Sequence, residues 1–258
     1  MLTVKLNNGC YTTSTNPKSL CNKLPSCCFY PQLFWIVLKA TLMAKQGIYT
    51  AGDWAKNSLD TLTALERCGI QFEISGMEHV CSSNEPCVFI GNHMSTLETF
   101  ILPTLISPYR SVTFVVKKSL TEYPLFKWVM NTRDPIVVSR TNPREDLKTV
   151  LNQGVEKLRA GTSIVVFPQT TRTTEFEPQH FNSIGIKLAK KAGVPIIPLA
   201  LKTDAWSNGK KLKEFGKILV DKKVHFSFGS AVDSSGNANE IQDNIIQFIQ
   251  EHLQNWQS

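Results

Sequence analysis

The chain of 258 residues lacks the short motifs that mark several large groups of enzymes. It has no GxSxG elbow, no phosphate-cradling GxxxxGK(S/T), no GxGxxG and no HExxH, so neither a metal nor a nucleotide cofactor is indicated. Its seven cysteines, at 10, 21, 27, 28, 68, 81 and 87, are an odd count without CxxC pairs or flanking His ligands. Zinc is therefore not expected, and reduced cytosolic thiols are the reading. The first 28 residues mix Lys, Asn and Thr without the apolar core of a secretory signal. A compact basic helix and an aromatic-interleaved strand are both missing, which argues against a nucleic-acid partner. There is no internal repeat, and no long linker within 70–258.

What is present is globular: 42% hydrophobic and 19% charged residues with 14 Gly and 13 Pro. The formal charge of +7 favours an anionic partner such as a membrane surface or a phosphorylated substrate. Residues 1–28, rich in Asn, Thr, Ser and Cys, read as a poorly ordered tail. From Phe29 to Ala44 the polarity drops. That run is shorter than the ~20 apolar residues that span a bilayer and carries Lys39 in its middle, so it is expected to lie in the interface. A second helix is predicted from Asp53, as N-cap, to Cys68, closed by Gly69. Over 29–69 the two make a helical hairpin that either rests on a membrane or covers the sheet of the main domain.

From Ile70 onward strands alternate with helices, the pattern of an α/β fold. Strands are predicted at Ile70–Ile74, Cys87–Ile90, Val112–Val116, Pro135–Ser139, Ser163–Phe167, Pro195–Leu201 and Lys223–Phe228. Helices are predicted from Pro124, over Arg144–Arg159, near Phe181–Ala192 and over Asn239–Leu253.

The stretch Pro86–Phe100, PCVFIGNHMSTLETF, sets His93 at a strand-to-helix junction with Glu98 five positions later. A histidine so placed can act as a general base whose tautomer the carboxylate fixes, or it can simply pack in a capping turn. Lys117, Arg140 and Arg172 each close or follow a predicted strand. In an open α/β sheet the loops at the carboxyl ends of strands converge on one crevice, so these cations either flank His93 or are solvated surface.

These blocks, in this order, resemble the glycerolipid acyltransferase family that includes 1-acylglycerol-3-phosphate acyltransferases. Asn92–Glu98 is similar to NHxSxxD, here an HxxxxE variant. Lys117–Leu120 is similar to KKSL, and it is followed by Pro124–Phe126 and a strand ending in Arg140. Phe167–Thr173, FPQTTRT, is similar to FPEGTRS, and Val194–Leu199 is VPIIPL.

The resemblance implies a mostly parallel central sheet flanked by helices, over residues 70–258, with the 29–69 hairpin at a membrane. It implies acyl transfer from an acyl-CoA or acyl-carrier-protein thioester to the hydroxyl of a lysophosphatidate-like, glycerol-phosphate acceptor. His93 is then the base and Glu98 its orienter. Lys117, Arg140 and Arg172, with Gln169, Thr170 and Thr171, bind the acceptor, no metal or other cofactor takes part, and the protein sits peripherally or monotopically on the cytoplasmic face of a membrane. A different lysolipid or alcohol acceptor, or a lipid-binding homologue without catalysis, are the alternatives. Glu98 for Asp, Gln169 for Glu, Thr170 for Gly and Asn182 for Lys are departures that point to a divergent subgroup. The Glu98 side chain, one methylene longer, is expected to pair with His93 only through a shifted helix or rotamer.

Overall fold

A computed structural model of the chain describes residues 4–14, 20–124, 126–169, 171–210 and 212–257. In chain order the elements are β1 (Tyr11–Thr12), α1 (Pro25–Lys45), α2 (Ala51–Arg67), β2 (Phe72–Ser75), α3 (Met77–Cys81), β3 (Val88–Gly91) and α4 (Leu97–Ile106). They continue with β4 (Val112–Lys117), α5 (Lys118–Glu122), α6 (Lys127–Asn131), β5 (Ile136–Val138), α7 (Pro143–Arg159) and β6 (Ser163–Val166). The last are α8 (Ile184–Ala192), β7 (Ile196–Lys202), β8 (Val224–Phe228) and α9 (Ala238–Asn255).

The strands form one sheet in the order β1-β2-β8-β7-β3-β6-β4-β5. Five neighbouring pairs are parallel and two, β1–β2 and β7–β8, are antiparallel, which is the mostly parallel sheet expected. Both faces are covered, so strand β3 is an unbroken apolar run rather than an alternating one. Its Val88 and Ile90 pack with Val150, Leu188 and Ile245 of α7, α8 and α9. Phe89 points the other way, into the cluster that holds Leu65, Leu97 and Ile101 of α2 and α4. Because β3 to β7 run parallel to one another, their carboxyl ends share one edge of the sheet, and the loops that follow them meet there.

Local chemistry moved several boundaries. Helix α2 begins with Thr50 as N-cap, and Asp53 is its third residue: the Thr50 hydroxyl accepts the Asp53 N–H while Asp53 accepts the Thr50 N–H at 2.9 Å. The carboxylate does start the helix, but as the second half of a capping box. No helix begins at Pro124. The proline forces Tyr123 to an extended ψ of 123°, which ends α5, and helix resumes only at Lys127.

Two N-terminal readings also change. Inside the segment read as a tail, Tyr11–Thr12 adds an edge strand to Glu73 and Ile74, and Glu66 of α2 accepts the hydroxyls of Tyr11 at 2.6 Å and Thr13 at 2.7 Å. All these partners are about sixty residues away, beyond the reach of local pattern. Helix α1 starts at Pro25, before the apolar run, and its 21 residues are long and apolar enough to cross a membrane. One face is nonetheless committed to the protein through Phe29, Leu33, Val37, Ala40 and Ala44.

At the end of β3, Gly91 lies against Leu199 of β7 so closely that an added Cβ would stand 2.7 Å from the Leu199 carbonyl oxygen. Backbone cannot yield as a side chain can. Gly91→Ala is therefore expected to cost about 1–3 kcal/mol of stability and to lower the thermal midpoint by several degrees, measured by circular dichroism; an unchanged midpoint would mean that β7 moves aside freely.

Candidate active site

The turn after β3 places His93 under a set of constraints. Asn92, just before it, pins the turn to β7: its side-chain amide donates to the Leu201 carbonyl at 2.7 Å and accepts the Leu201 N–H at 2.9 Å. The His93 N–H donates to Gln169 Oε1 at 2.7 Å, and its carbonyl accepts the Thr173 N–H at 3.0 Å, so the loop after β6 holds the residue from both sides. The ring stacks on Phe167 at 4.4 Å with a 6° interplanar angle.

His93 Nδ1 lies 2.7 Å from Glu98 Oε1. Glu98, in the first turn of α4, is fully buried, and its carboxylate folds back over the turn. Oε1 also accepts the N–H of Met94 at 2.8 Å and of Ser95 at 3.1 Å, while the Thr203 hydroxyl donates to Oε2. Burial opposes the charged form, but hydrogen bonds from His93, Thr203 and Ser95 outweigh it and hold the carboxyl below its usual range. An ionised carboxylate only accepts, so Nδ1 carries the ring proton and Nε2 keeps the lone pair. The Glu98 carboxylate thus reaches back to the Met94 and Ser95 N–H groups while it pairs with His93.

His93 opens into a cavity of about 730 Å³. Helices α1, α2 and α6 and strand β4 give it apolar walls, among them Ile36, Val37, Trp54, Phe114, Val116 and Met130. The loops at the strand ends give it polar ones, Arg140, Gln169, Arg172 and Glu214, joined by Asp146 of α7 and Lys187 of α8.

Arg172 donates from Nη1 to the Thr96 hydroxyl at 2.6 Å and from Nη2 to Glu214 Oε1 at 3.0 Å. Arg140 adopts a left-handed φ of 60°, a strained conformation for a residue with a Cβ. Asp146 of α7 holds that turn by accepting the N–H groups of Ser139 at 2.8 Å and Arg140 at 2.7 Å. Desolvation lowers the Arg140 pKa, and so does the charge of Arg172, against the opposing pull of Asp146. Both guanidinium groups line the same cavity.

Of the residues singled out from sequence, His93, Glu98, Arg140, Gln169 and Arg172 come together. Lys117 does not: it ends β4 exposed and outside the cavity wall. Gln169 contributes to the wall, yet both ends of its amide are spent on protein, Nε2 donating to the Thr173 hydroxyl at 2.8 Å. Thr171 is exposed and accepts from Lys213 Nζ at 2.8 Å, and Thr170 lies outside the described residues. Sequence reasoning missed Thr203, Asp146, Glu214 and Lys187. Asp146 alone had a signal, an acid in the first turn after the Asn142 cap; the others are ordinary residue types placed by long-range contacts. Among the described residues, no three His, Cys, Asp or Glu side chains converge as a metal site would require.

Residues 71–202 match the Acyltransferase family. The 1-acyl-sn-glycerol-3-phosphate acyltransferase of Pseudomonas aeruginosa is 35% identical over 132 residues, which cover 51% of this chain and 49% of that protein. A probable 1-acyl-sn-glycerol-3-phosphate acyltransferase of Mycoplasma pneumoniae is 27% identical over 201 residues, 72% of this chain and 74% of that one. The chain thus spans about half the length of the Pseudomonas relative. In fold it resembles the crystal structure of the 1-acyl-sn-glycerophosphate (LPA) acyltransferase PlsC from Thermotoga maritima, with a TM-score of 0.72 and 17% identity over 92% of this chain and 96% of that chain. Since the matched stretch opens just before β2 and closes on the last residue of β7, it takes in the His93–Glu98 pair together with the loops that clamp it, and the chain belongs to the acyltransferase family.

Proposed function

We propose that the protein transfers a fatty acyl group from an acyl-CoA or acyl-carrier-protein thioester to the hydroxyl of a lysophosphatidate-like acceptor. The observation that carries this reading is one cavity that holds an oriented His93–Glu98 pair, an apolar wall and two converging arginines. The apolar wall suits a fatty acyl chain, and Arg140 and Arg172 suit a phosphate. His93 Nε2 takes the proton of the acceptor hydroxyl as its oxygen attacks the thioester carbonyl. The carbon–sulfur bond breaks when the tetrahedral intermediate collapses, and the departing thiolate recovers the proton from the imidazolium. Glu98 stabilises that imidazolium, and Gln169 serves by holding the His93 backbone.

The membrane is the natural source of such an acceptor. Phe34, Trp35, Leu42 and Ile48 are exposed on or just after α1, and Trp128 lies beside Lys45 and Lys127, whose ammonium groups stand 5.6 and 5.3 Å from its ring. With its other face held by the protein, α1 lies along the surface rather than through it. The seven cysteines are free thiols, in keeping with the cytoplasmic face.

His93→Ala is expected to lower kcat by about 10²–10⁴-fold with a labelled acyl thioester, and Glu98→Gln to lower kcat strongly with little change in acceptor KM. Turnover retained by His93→Ala would sink the mechanism. Arg172→Ala should weaken phosphate-bearing acceptors by roughly 10–100-fold, the worth of a charge-assisted hydrogen bond, and leave neutral ones nearly unaffected; equal losses would make Arg172 structural. Trp35→Asp should abolish co-sedimentation with anionic vesicles while the circular dichroism spectrum is unchanged, and undiminished binding would remove α1 from the membrane contact.

A further inference from the structure

Beyond the stretch matched by the family, residues 206–210 and 212–218 pair tightly with each other and reach from the His93 loop to α1. The Ser207 N–H donates to the Lys217 carbonyl at 3.0 Å, and Gly216 crosses Ser207 so closely that a Cβ would meet its carbonyl oxygen at 1.6 Å. On one side Asn208 donates to the Met94 carbonyl at 2.9 Å. On the other, the Tyr30 hydroxyl donates to the Gly216 carbonyl, and the Tyr30 ring lies 5.7 Å from that of Phe215. Between these anchors the Glu214 carbonyl accepts the indole N–H of the buried Trp206 at 3.1 Å, which leaves the Glu214 side chain directed at Arg172.

We propose that Glu214 is a specificity-determining counter-ion, which occupies Arg172 in the empty site and must be displaced before the acceptor phosphate takes its place. Cavity-lining acids among the described residues are Asp146 and Glu214, and Asp146 already accepts backbone N–H groups through both oxygens. Glu214 is the one within reach of the guanidinium, and it is only 24% exposed. It has two effects. It neutralises part of the charge that Arg172 and Arg140 bring to one cavity before an acceptor binds. It also competes with an entering phosphate for Arg172 Nη2, so a dianion is held less tightly than it would be without Glu214, and an anionic product is released more readily. A carboxylate that merely propped up Arg172 would strengthen phosphate binding; a competing counter-ion weakens it.

This inference rests on reading Arg172 as a ligand of the acceptor phosphate. It is tested by calorimetric titration of the full chain with glycerol 3-phosphate and by initial rates with lysophosphatidate. Glu214→Gln keeps an oxygen for Arg172 Nη2 but removes the charge, so it is expected to tighten glycerol 3-phosphate binding and lower the acceptor KM by about two- to tenfold. The difference from the wild type should shrink as salt rises from about 50 to 300 mM, because a partly exposed charge is screened. Glu214→Asp, which keeps the charge but withdraws it by a methylene, should fall between the two and serves if the Gln variant is unstable. Unchanged or weaker binding in Glu214→Gln, or a gain indifferent to salt, would overturn the proposal. Tighter glycerol 3-phosphate binding without acyl transfer by either protein would uphold the counter-ion and refute the proposed reaction.

Discussion

Glu98 is a carboxylate with no exposure to solvent, and the arrangement of the whole His93 edge of the sheet follows from keeping it charged. Isolated in an apolar interior it would take up a proton; here donors from four residues surround it. Each donor carries a structural demand. The Met94 and Ser95 N–H groups require the turn after β3 to curl over the carboxylate, and the Thr203 hydroxyl requires the end of β7 to stand beside that turn. Asn92 and Gly91 meet the second demand, the first by an amide pairing with Leu201 and the other by letting the two backbones approach.

The parallel run from β3 to β7 delivers these groups to one edge, and the helices decide what else is found there. α7, α8 and α9 close one face of the sheet with a packed core. On the other face α1, α2 and α6 leave the apolar side of the cavity, so the same helix that shows Phe34 and Trp35 to the outside also lines the site with Ile36 and Val37. The paired segments 206–210 and 212–218 join them, touching α1 through Tyr30 and Ser26 and the site through Asn208, Lys213 and Glu214.

The loop after β6 is tied down on both sides. Gln169 brackets His93 with one end of its amide and Thr173 with the other. Asn182 ties the Pro168 carbonyl to the start of α8, its side-chain oxygen accepting the Ile184 N–H at 3.0 Å. Lys187, on α8, adds a cation to the cavity wall.

The alternation of strands and helices after residue 70, the sheet's character and the His93–Glu98 pairing were legible in the chain, because apolar period, helix-start residues and a five-residue spacing are local quantities. Arg140 and Arg172 were legible too, since the carboxyl ends of parallel strands must converge. Lys117 followed the same rule and failed it: the rule names the edge of the sheet but not the direction of a side chain. The break before Lys127 is the local effect of Pro124 on Tyr123, whereas the edge strand at Tyr11 had its partners in Glu66 and Ile74, and Thr203 and Glu214 reach the site only by folding. Sequence alone thus determined which chemical groups are available and on which edge they gather. Tertiary structure decided which of them carry a partner, a desolvation cost or an opposing charge, because those depend on distances between residues far apart in the chain.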